Sequence, residues 1–213
     1  MTDTDEVGQG AVAEFWDELY GKRPQMWSGR VNVVLADEVA DLEPGTALDL
    51  GSGEGGDAVW LAQRGWRVTG VDVSTVALAR AEAHAAAAGL TDRITWERHD
   101  FGATFPSGSF DLVSAQFLQS PVELDRITVL RAAAAAVAPG GTLLVVSHAA
   151  APDWSDHHDA VFPVPAEELA ELDLDPEAWT VVRCDAAEVE CTGPDGQAGV
   201  RLDGVVRVRR NAA

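Results

Sequence analysis

The chain has little of what usually marks secreted or membrane-spanning proteins. It has two cysteines in 213 residues, Cys184 and Cys191, with no CxxC spacing, so neither a disulfide framework nor a zinc site is expected. No apolar run approaches the ~18 residues of a transmembrane helix, and the polar, acidic start is unlike a signal peptide. We therefore expect a cytoplasmic protein without a membrane partner.

Basic residues are also scarce. Fifteen Lys and Arg stand against 35 Asp and Glu, which gives a formal net charge of −20. Because a reader of phosphate backbones needs a basic face, no nucleic-acid partner is expected. The length and the 46% hydrophobic content allow one full core. We predict a single domain over 1–213, with disorder over 1–10.

What the chain does contain is a regular alternation of apolar strands and amphipathic helices. After helices at 11–20 and 31–42, strands are predicted at 46–50, 67–71, 94–98, 110–115 and 142–147, with helices at 56–64, 75–88 and 122–138. This alternation favours a parallel sheet covered on both faces.

The end of the chain follows a different pattern. After a short helix at 166–172, two strand-like segments at 180–189 and 200–208 are joined by a turn that contains Gly193-Pro194-Asp195-Gly196. Such a short connection makes an antiparallel hairpin. The predicted fold is therefore α/β: a Rossmann-like, doubly wound, seven-stranded sheet that is mostly parallel and ends in a C-terminal antiparallel hairpin.

The segment 46–74, TALDLGSGEGGDAVWLAQRGWRVTGVDVS, carries the strongest functional signal. Gly51, Gly53 and Gly55 follow the first strand and let the backbone turn tightly beside a ligand, because no Cβ intrudes. Asp72 ends the next strand, about 20 residues further on, where an acid can hold two ribose hydroxyls. The segment predicts a nucleoside-binding βαβ unit.

Two kinds of nucleoside cofactor fit a unit of this type. Gly51, Gly53 and Gly56 satisfy the GxGxxG dinucleotide pattern, so an NAD(P)-dependent oxidoreductase is one alternative. Asp49 argues against it, because an acid beside the glycines repels a pyrophosphate and suits a cationic ligand. The chain also has a single tyrosine, Tyr20, and no Tyr-x-x-x-Lys pair.

The pattern Asp49-x-Gly51-x-Gly53-x-Gly55 resembles the first motif of class I S-adenosylmethionine-dependent methyltransferases. The resemblance implies that S-adenosylmethionine is the cofactor and that a methyl group passes to a small-molecule nucleophile of the thiol, chalcogen or phenol type. A catalytically silent protein that only binds the cofactor stays an alternative, because binding motifs survive without turnover.

Further resemblances indicate a particular branch of this methyltransferase family. The Trp27-Ser28-Gly29 stretch and the C-terminal course resemble the tellurite-resistance and thiopurine S-methyltransferases. This resemblance implies that 11–30 forms a lid and that Trp27 folds over the cofactor. Glu190 and Cys191 stand near the place where the tellurite enzymes carry a His-Arg pair, which argues against an oxyanion substrate.

Ligands of open α/β sheets bind outside the carboxyl ends of the strands. There Asp100 and Phe101 are expected to address the adenine, Gln116 and Phe117 to lie below the methionine end, and His148 to lie near the methyl group as a candidate base. The predicted cofactor-binding residues are Trp27, Asp49, Gly51, Ser52, Gly53, Gly55, Asp72, Val73, Ser74, Asp100, Phe101, Gln116 and Phe117.

Two other motifs bear on a metal site and on the type of methyl acceptor. Asp156-His157-His158-Asp159 has the side chains of a metal site, but adjacent histidines point in different directions, so no metal is expected. Residues 116–120 read QFLQS and lack the Asn/Asp-Pro-Pro-aromatic tetrad of base-amino methyltransferases. The sequence identifies neither the methyl acceptor nor the oligomeric state.

Overall fold

The computed structural model describes residues 5–152, 154, 161–193 and 195–212. The helices are α1 (Asp5–Gly21), α2 (Val33–Glu38), α3 (Gly56–Gln63), α4 (Thr75–Ala87), α5 (Arg126–Ala135) and α6 (Pro165–Glu171). The strands are β1 (Thr46–Leu50), β2 (Arg67–Asp72), β3 (Ile94–Arg98), β4 (Phe110–Gln116), β5 (Val137–Ala150), β6 (Trp179–Thr192) and β7 (Ala198–Arg210).

The strands form one seven-stranded sheet in the order β3-β2-β1-β4-β5-β7-β6. The chain winds outward from β1 through β2 to β3, then crosses back to place β4 on the other side of β1. The strand order therefore reverses between β1 and β4. Ligands of open α/β sheets bind at such a reversal, beyond the carboxyl ends of the strands.

The C-terminal strands run against the rest of the sheet. β7 pairs antiparallel with β5 on one side and with β6 on the other. β6 and β7 are the predicted hairpin, although the middle of its turn, at Pro194, lies outside the described residues. The fold class predicted from the sequence is confirmed, including the seven strands and the antiparallel end.

An apolar core lies on each face of the sheet, as helix-on-both-faces packing requires. On one face, α2, α3 and α4 pack residues such as Leu35, Leu61 and Ala85 against the strands. On the other, α5 contributes Leu130, and Leu172 packs directly after the end of α6. The helices fix the sheet between them and leave its carboxyl edge to the loops.

The N-terminal helix is longer than its sequence pattern indicates. The sequence predicts disorder over 1–10, but α1 begins at Asp5, and only residues 1–4 lie outside the described part of this segment. The prediction rested on the polar, acidic composition of this segment, which does not by itself prevent a helix.

Two other helices are shorter than predicted. α2 begins after Asn32, whose side chain accepts a hydrogen bond from the Val34 N–H as an N-cap, and it ends at Glu38 instead of residue 42. α5 begins after Asp125, which caps it through the Thr128 N–H, and not at 122. Capping polar side chains set the starts of both helices, inside stretches whose apolar periodicity is continuous.

β5 begins earlier than predicted, at Val137. Gly140, with a φ of 83°, lies inside it, and the pairing with β4 shifts register between Phe110 and Leu112. The Pro-Gly-Gly segment is therefore an irregularity within the strand and not the turn that precedes it.

No helix in the described ranges is long and apolar enough to cross a membrane. The motif at 156–159 lies outside the described residues, and the part that is described holds no group of three or more His, Cys, Asp and Glu side chains suited to a metal ion.

Candidate functional site

The glycine-rich turn joins β1 to α3 at the strand-order reversal. Gly51, Gly53 and Gly55 have φ values of 69°, 52° and 82°, a region that side chains with a Cβ rarely occupy. A Cβ at Gly53 would lie 2.9 Å from the Tyr20 Oη, and one at Gly55 would lie 2.9 Å from the Ala81 Cβ. Glycine is therefore required here for both conformation and space.

Asp72 ends β2 directly beside this turn. Its Oδ2 accepts a hydrogen bond from the Gly53 N–H and its Oδ1 accepts one from the Ser74 N–H, each at 2.9 Å. Burial raises the pKa of Asp72, although hydrogen bonds from the Ser74, Gly53 and Val73 N–H groups oppose that shift. Ser74 in turn caps α4 by accepting from the Ala77 N–H. One carboxylate thus joins the glycine turn to the start of α4.

Asp49 and Asp57 add negative charge at the same place. Asp49 is 2% exposed and its Oδ2 has no hydrogen-bond partner within the described part of the chain. Burial, followed by the charges of Asp57 and Asp72, raises the pKa of Asp49 well above its usual range. Burial also raises the pKa of Asp57 to about 6, opposed by a hydrogen bond from the Asn32 N–H. This arrangement favours a cationic ligand.

Asp100 and Phe101 follow β3, the next strand outward. Asp100 accepts a hydrogen bond from the Gly102 N–H at 3.0 Å, and the Phe101 ring lies 5.9 Å from that of Phe105. The His99 N–H donates to the Asp72 carbonyl, which links this turn to the end of β2. The pair lies at the predicted edge of the sheet, half-buried.

Gln116 and Phe117 lie on the far side of the reversal, after β4. The Gln116 Oε1 accepts a hydrogen bond from the Asn32 Nδ2 at 2.7 Å, which ties the start of α2 to β4. Phe117 has a φ of 51°, an uncommon left-handed conformation for a residue with a Cβ. Its N–H donates to the Val146 carbonyl at 2.7 Å. Strained backbone held in this way is typical of functional sites.

His148 lies near the end of β5, against the loop after β4. Its ring stacks on Phe117, with centroids 4.3 Å apart and planes at 23°. The His148 N–H donates to the Gln119 Oε1 at 3.1 Å. The imidazole remains 44% exposed, so one edge is open to a ligand.

Asp203 on β7 is a neighbour of His148 that the sequence analysis missed. The His148 Nδ1 lies 3.7 Å from the Asp203 Oδ1, and Asp203 is fully buried. Burial alone would raise the pKa of Asp203, but His148 and Arg201 outweigh it and hold the pKa low. The signal was an acid inside an apolar strand, and only the pairing of β7 with β5 shows which residue it faces.

The N-terminal segment covers the glycine turn. The Trp27 Nε1 donates to the Tyr20 Oη at 3.1 Å, and the Trp27 ring lies 3.5 Å from the position of a Gly53 Cβ. Burial, with the charge of Asp72, raises the pKa of Tyr20. Trp27 nevertheless stays 55% exposed. The predicted aromatic is therefore beside the turn, with its outer face in solvent.

Glu54, a second residue that the sequence analysis missed, anchors this segment. It is 3% exposed and accepts hydrogen bonds from the Met26 and Trp27 N–H groups. It also pairs with Arg80 at 2.7 Å, and Arg80 donates to the carbonyls of Tyr20 and Arg23. We refer to Glu54 and Arg80 as the clamp. Glu54 stands at a position that the glycine motif leaves unspecified, so the sequence analysis gave it no role.

Comparisons with known proteins agree with this geometry. A family model described as a methyltransferase domain matches residues 47–141. The chain is 33% identical over 161 residues to the 2-heptyl-1-hydroxyquinolin-4(1H)-one methyltransferase of Mycobacteroides abscessus, an alignment that covers 73% of this chain and 67% of that protein. It is also 33% identical over 155 residues to the 27-O-demethylrifamycin SV methyltransferase of Amycolatopsis mediterranei, covering 65% of this chain and 56% of that relative.

Solved structures give the same fold. One described as the conversion of a disulfide bond into a thioacetal group during echinomycin biosynthesis superposes with a TM-score of 0.66 and 26% identity, over 93% of both chains. TehB from Haemophilus influenzae superposes with a TM-score of 0.67 over 92% of this chain and 66% of that one; its 17% identity shows the fold alone.

These likenesses define a class of protein. The chain belongs to the class I S-adenosylmethionine-dependent methyltransferases, and its cofactor is S-adenosylmethionine. The family resemblance read from the glycine motif is confirmed. The NAD(P)-dependent alternative is wrong, because the sheet closes with an antiparallel pair and both the family model and the two relatives above are methyltransferases.

Proposed function

We propose that the chain transfers a methyl group from S-adenosylmethionine to an acidic hydroxyl oxygen on a small aromatic molecule. The observation that carries this proposal is His148, an exposed imidazole stacked on Phe117 and backed by Asp203. A phenol or N-hydroxyl must lose its proton in order to attack a methyl group, and an imidazole is the side chain suited to take it near neutral pH. One relative above is named for a 1-hydroxyquinolone and the other for an O-demethyl compound, which supports an oxygen acceptor.

The cofactor's position is also a proposal, supported by buried atoms of this chain. Asp49 Oδ2 and Ser52 Oγ are buried without a partner among the described residues, as expected of groups that a ligand satisfies. We propose that Gly51, Ser52, Gly53, Gly55 and Asp49 receive the methionine part. The ribose would meet Asp72, Val73 and Ser74, the adenine Asp100 and Phe101, and the methyl end Gln116 and Phe117, beneath Trp27.

The chemistry divides simply between cofactor and protein. S-adenosylmethionine supplies the electrophilic methyl group and becomes S-adenosylhomocysteine. The chain aligns the acceptor, worth up to ~7–11 kcal/mol in well-oriented cases. His148 Nε2 accepts the hydroxyl proton and later releases it to water. Phe117 offers an aromatic face on which a flat acceptor can stack.

The N-terminal segment is proposed to act as the lid. Residues 11–30 contribute Tyr20 and Trp27 beside the glycine turn, and the clamp holds them there. Closing this segment would exclude water from the methyl group and the attacking oxygen.

A thiol acceptor is the second candidate. The structure similar over 93% of both chains concerns sulfur chemistry, the conversion of a disulfide into a thioacetal. A thiol is far more acidic than an alcohol, so the thiolate needs little help from a base. His148 would then be dispensable, which separates the two candidates.

An acceptor screen tests the proposal. Purified protein and methyl-labelled S-adenosylmethionine are incubated with N-hydroxyquinolones, phenols, thiols, tellurite, tRNA and DNA. We expect labelling of hydroxylated aromatics, and no labelling of tellurite or nucleic acid, which a protein of charge −20 repels. The His148→Ala change should lower the rate on hydroxyl acceptors ~100-fold or more and leave S-adenosylhomocysteine affinity unchanged.

Three outcomes would contradict the proposal. Transfer to thiols alone, with His148→Ala fully active, would favour the second candidate. Cofactor binding without transfer to any acceptor would favour a silent binding protein. Labelling of nucleic acid would overturn the small-molecule assignment.

A cytoplasmic location also stays a proposal, tested by cell fractionation.

A further inference from the structure

The strand register brings Asp203 to His148. β5 and β7 pair antiparallel with His148 directly opposite Asp203. Side chains of directly opposed residues lie on the same face of a sheet, with Cβ atoms ~4.5–5.5 Å apart. The pairing is therefore set by backbone hydrogen bonds between two central strands and not by a mobile loop. The register shifts between His148 and Ala150, just beyond the pair.

The carboxylate is fixed in one orientation. The Arg201 Nε donates to the Asp203 Oδ1 at 2.9 Å, and the Arg201 Nη2 donates to the Oδ2 at 3.0 Å. Asp203 is fully buried, which would raise its pKa, but His148 and Arg201 together hold that pKa low and favour the carboxylate. A buried, ionised and immobilised carboxylate is a strong acceptor for an N–H that faces it.

Two further contacts restrain His148, one to its ring and one to its backbone. Phe117 stacks on one face of the ring, and Gln119 accepts the backbone N–H of His148. The Nδ1 lies 3.7 Å from Asp203, so a shift of about 0.5 Å brings it within hydrogen-bond distance. The Nε2 is on the opposite edge of the ring.

We propose that Asp203 is a positioning residue that holds His148 as the Nδ1–H tautomer, with the unprotonated Nε2 directed at the acceptor hydroxyl. When one ring nitrogen of a neutral histidine donates to a carboxylate, the other must be the acceptor. The catalytic part of this inference rests on the proposed function. The tautomer itself does not, because it depends only on two groups of this chain, His148 Nδ1 and the Asp203 carboxylate, that face each other at 3.7 Å.

Nitrogen-15 NMR of His148 tests the tautomer directly. The spectra are recorded at about pH 8.5, where an ordinary imidazole is neutral, and His148 is assigned with the His148→Ala variant. We expect the Nδ1–H form to predominate in the wild-type protein. In Asp203→Asn, which keeps the side-chain shape, the Nε2–H form should gain. In Arg201→Gln, which retains the carboxylate, the wild-type tautomer should persist.

Kinetics give the second readout. Asp203→Asn should lower kcat on a hydroxyl acceptor by about tenfold or more, since a general-base histidine left in the wrong tautomer can lose up to ~10⁴-fold, with the KM for S-adenosylmethionine unchanged. Asp203→Glu should recover part of that loss, and Arg201→Gln should lose less than Asp203→Asn. A purely structural role would instead lower thermal stability and all activities together in both variants.

The two proposals fail in different ways. If no hydroxyl acceptor is methylated but the tautomer responds to Asp203→Asn, the proposed function fails and the positioning holds. If transfer proceeds while wild-type His148 is mainly the Nε2–H form, the positioning is overturned. The wild-type spectrum decides this even if Asp203→Asn does not fold.

Discussion

At the scale of single residues, the site concentrates carboxylates that resist ionisation. Asp49, Asp57 and Asp72 all have raised pKa values, and burial is the largest cause for each. Keeping such groups charged destabilises the free protein unless a cation compensates them. We propose that these buried carboxylates lower the stability of the free protein and raise its affinity for a positively charged ligand.

The raised pKa values make the free energy of unfolding depend on pH with a definite sign. The folded protein binds more protons than the unfolded chain between the usual pKa of 3.8 and the raised value of about 6 for Asp57. The contribution of this group to the free energy of unfolding therefore falls as pH rises from about 4 to about 6. Asp49 shifts in the same direction.

The Asp49→Asn variant isolates the contribution of Asp49 to stability from that of the other acids. At pH 7.5 it should melt a few degrees higher than wild type, about 2–4 °C for ~1 kcal/mol, and bind S-adenosylmethionine more weakly. Thermal melts from pH 4.5 to 7.5, with and without the cofactor, measure both effects. A lower melting temperature for Asp49→Asn across this range would contradict the account.

Asp72 makes the complementary prediction. Replacing it by Ala removes the charged acceptor proposed for two ribose hydroxyls, so the affinity for S-adenosylhomocysteine should fall more than tenfold, or ~1.4 kcal/mol. Asp92→Ala, in an exposed loop before β3, is the matched control and should bind like wild type. Equal affinity of the two variants would remove Asp72 from the site.

Sequence reasoning predicted the candidate site residues that local spacing reveals. Asp49, the three glycines and Asp72 were named from the strand-turn-helix-strand pattern alone, and the structure brings them together. Asp203 and Glu54 did not, because their roles depend on partners far along the chain: Asp203 faces His148 only through the β5–β7 register, and Glu54 binds amides at 26–27.

At the scale of elements, the clamp joins the N-terminal segment to the glycine-rich turn. Glu54 lies in the turn itself, Arg80 lies on α4, and both bind backbone groups between Tyr20 and Trp27. Farther up, Asp17 on α1 accepts hydrogen bonds from the Ser74 and Thr75 hydroxyls at the start of α4. Order in this segment is thus coupled to the elements that are proposed to hold the cofactor.

The Glu54→Gln variant should loosen this segment. Loss of the carboxylate leaves Arg80 unpaired and weakens the acceptor for two backbone amides, so hydrogen exchange over 20–30 should quicken at least tenfold, equivalent to ~1.4 kcal/mol of local opening. Glu82→Gln, an exposed position on α4, is the control. In wild type, S-adenosylhomocysteine should slow the same amides. Exchange that neither the variant nor the ligand changes would make the segment ordinary scaffold.

Element boundaries show what periodicity cannot supply. The number of strands and their places along the chain were predicted because each apolar run is bounded by turn residues. The starts of α2 and α5 were not, because Asn32 and Asp125 cap them from within stretches that still look helical. β5 likewise passes through Pro139 and Gly140, where tertiary pairing overrides the local turn signal.

At the scale of the whole molecule, topology and charge act together. The mostly parallel sheet with an antiparallel end has a strand-order reversal between β1 and β4, the place where open α/β sheets form a ligand crevice. We propose that the excess of acids disfavours polyanions there. Alternating strands and helices, followed by a hairpin, predicted this fold from sequence. The acceptor was not predictable, because it depends on side chains that three separate strands and loops bring together.

The central claim is that this crevice binds S-adenosylmethionine. Isothermal titration calorimetry of the wild-type protein with S-adenosylhomocysteine and, separately, with NAD tests it most directly. The account predicts one site per chain for S-adenosylhomocysteine, with a Kd on the order of 10 μM or tighter, about −7 kcal/mol, and no measurable heat with NAD. Micromolar binding of NAD, with no response to S-adenosylhomocysteine, would contradict it.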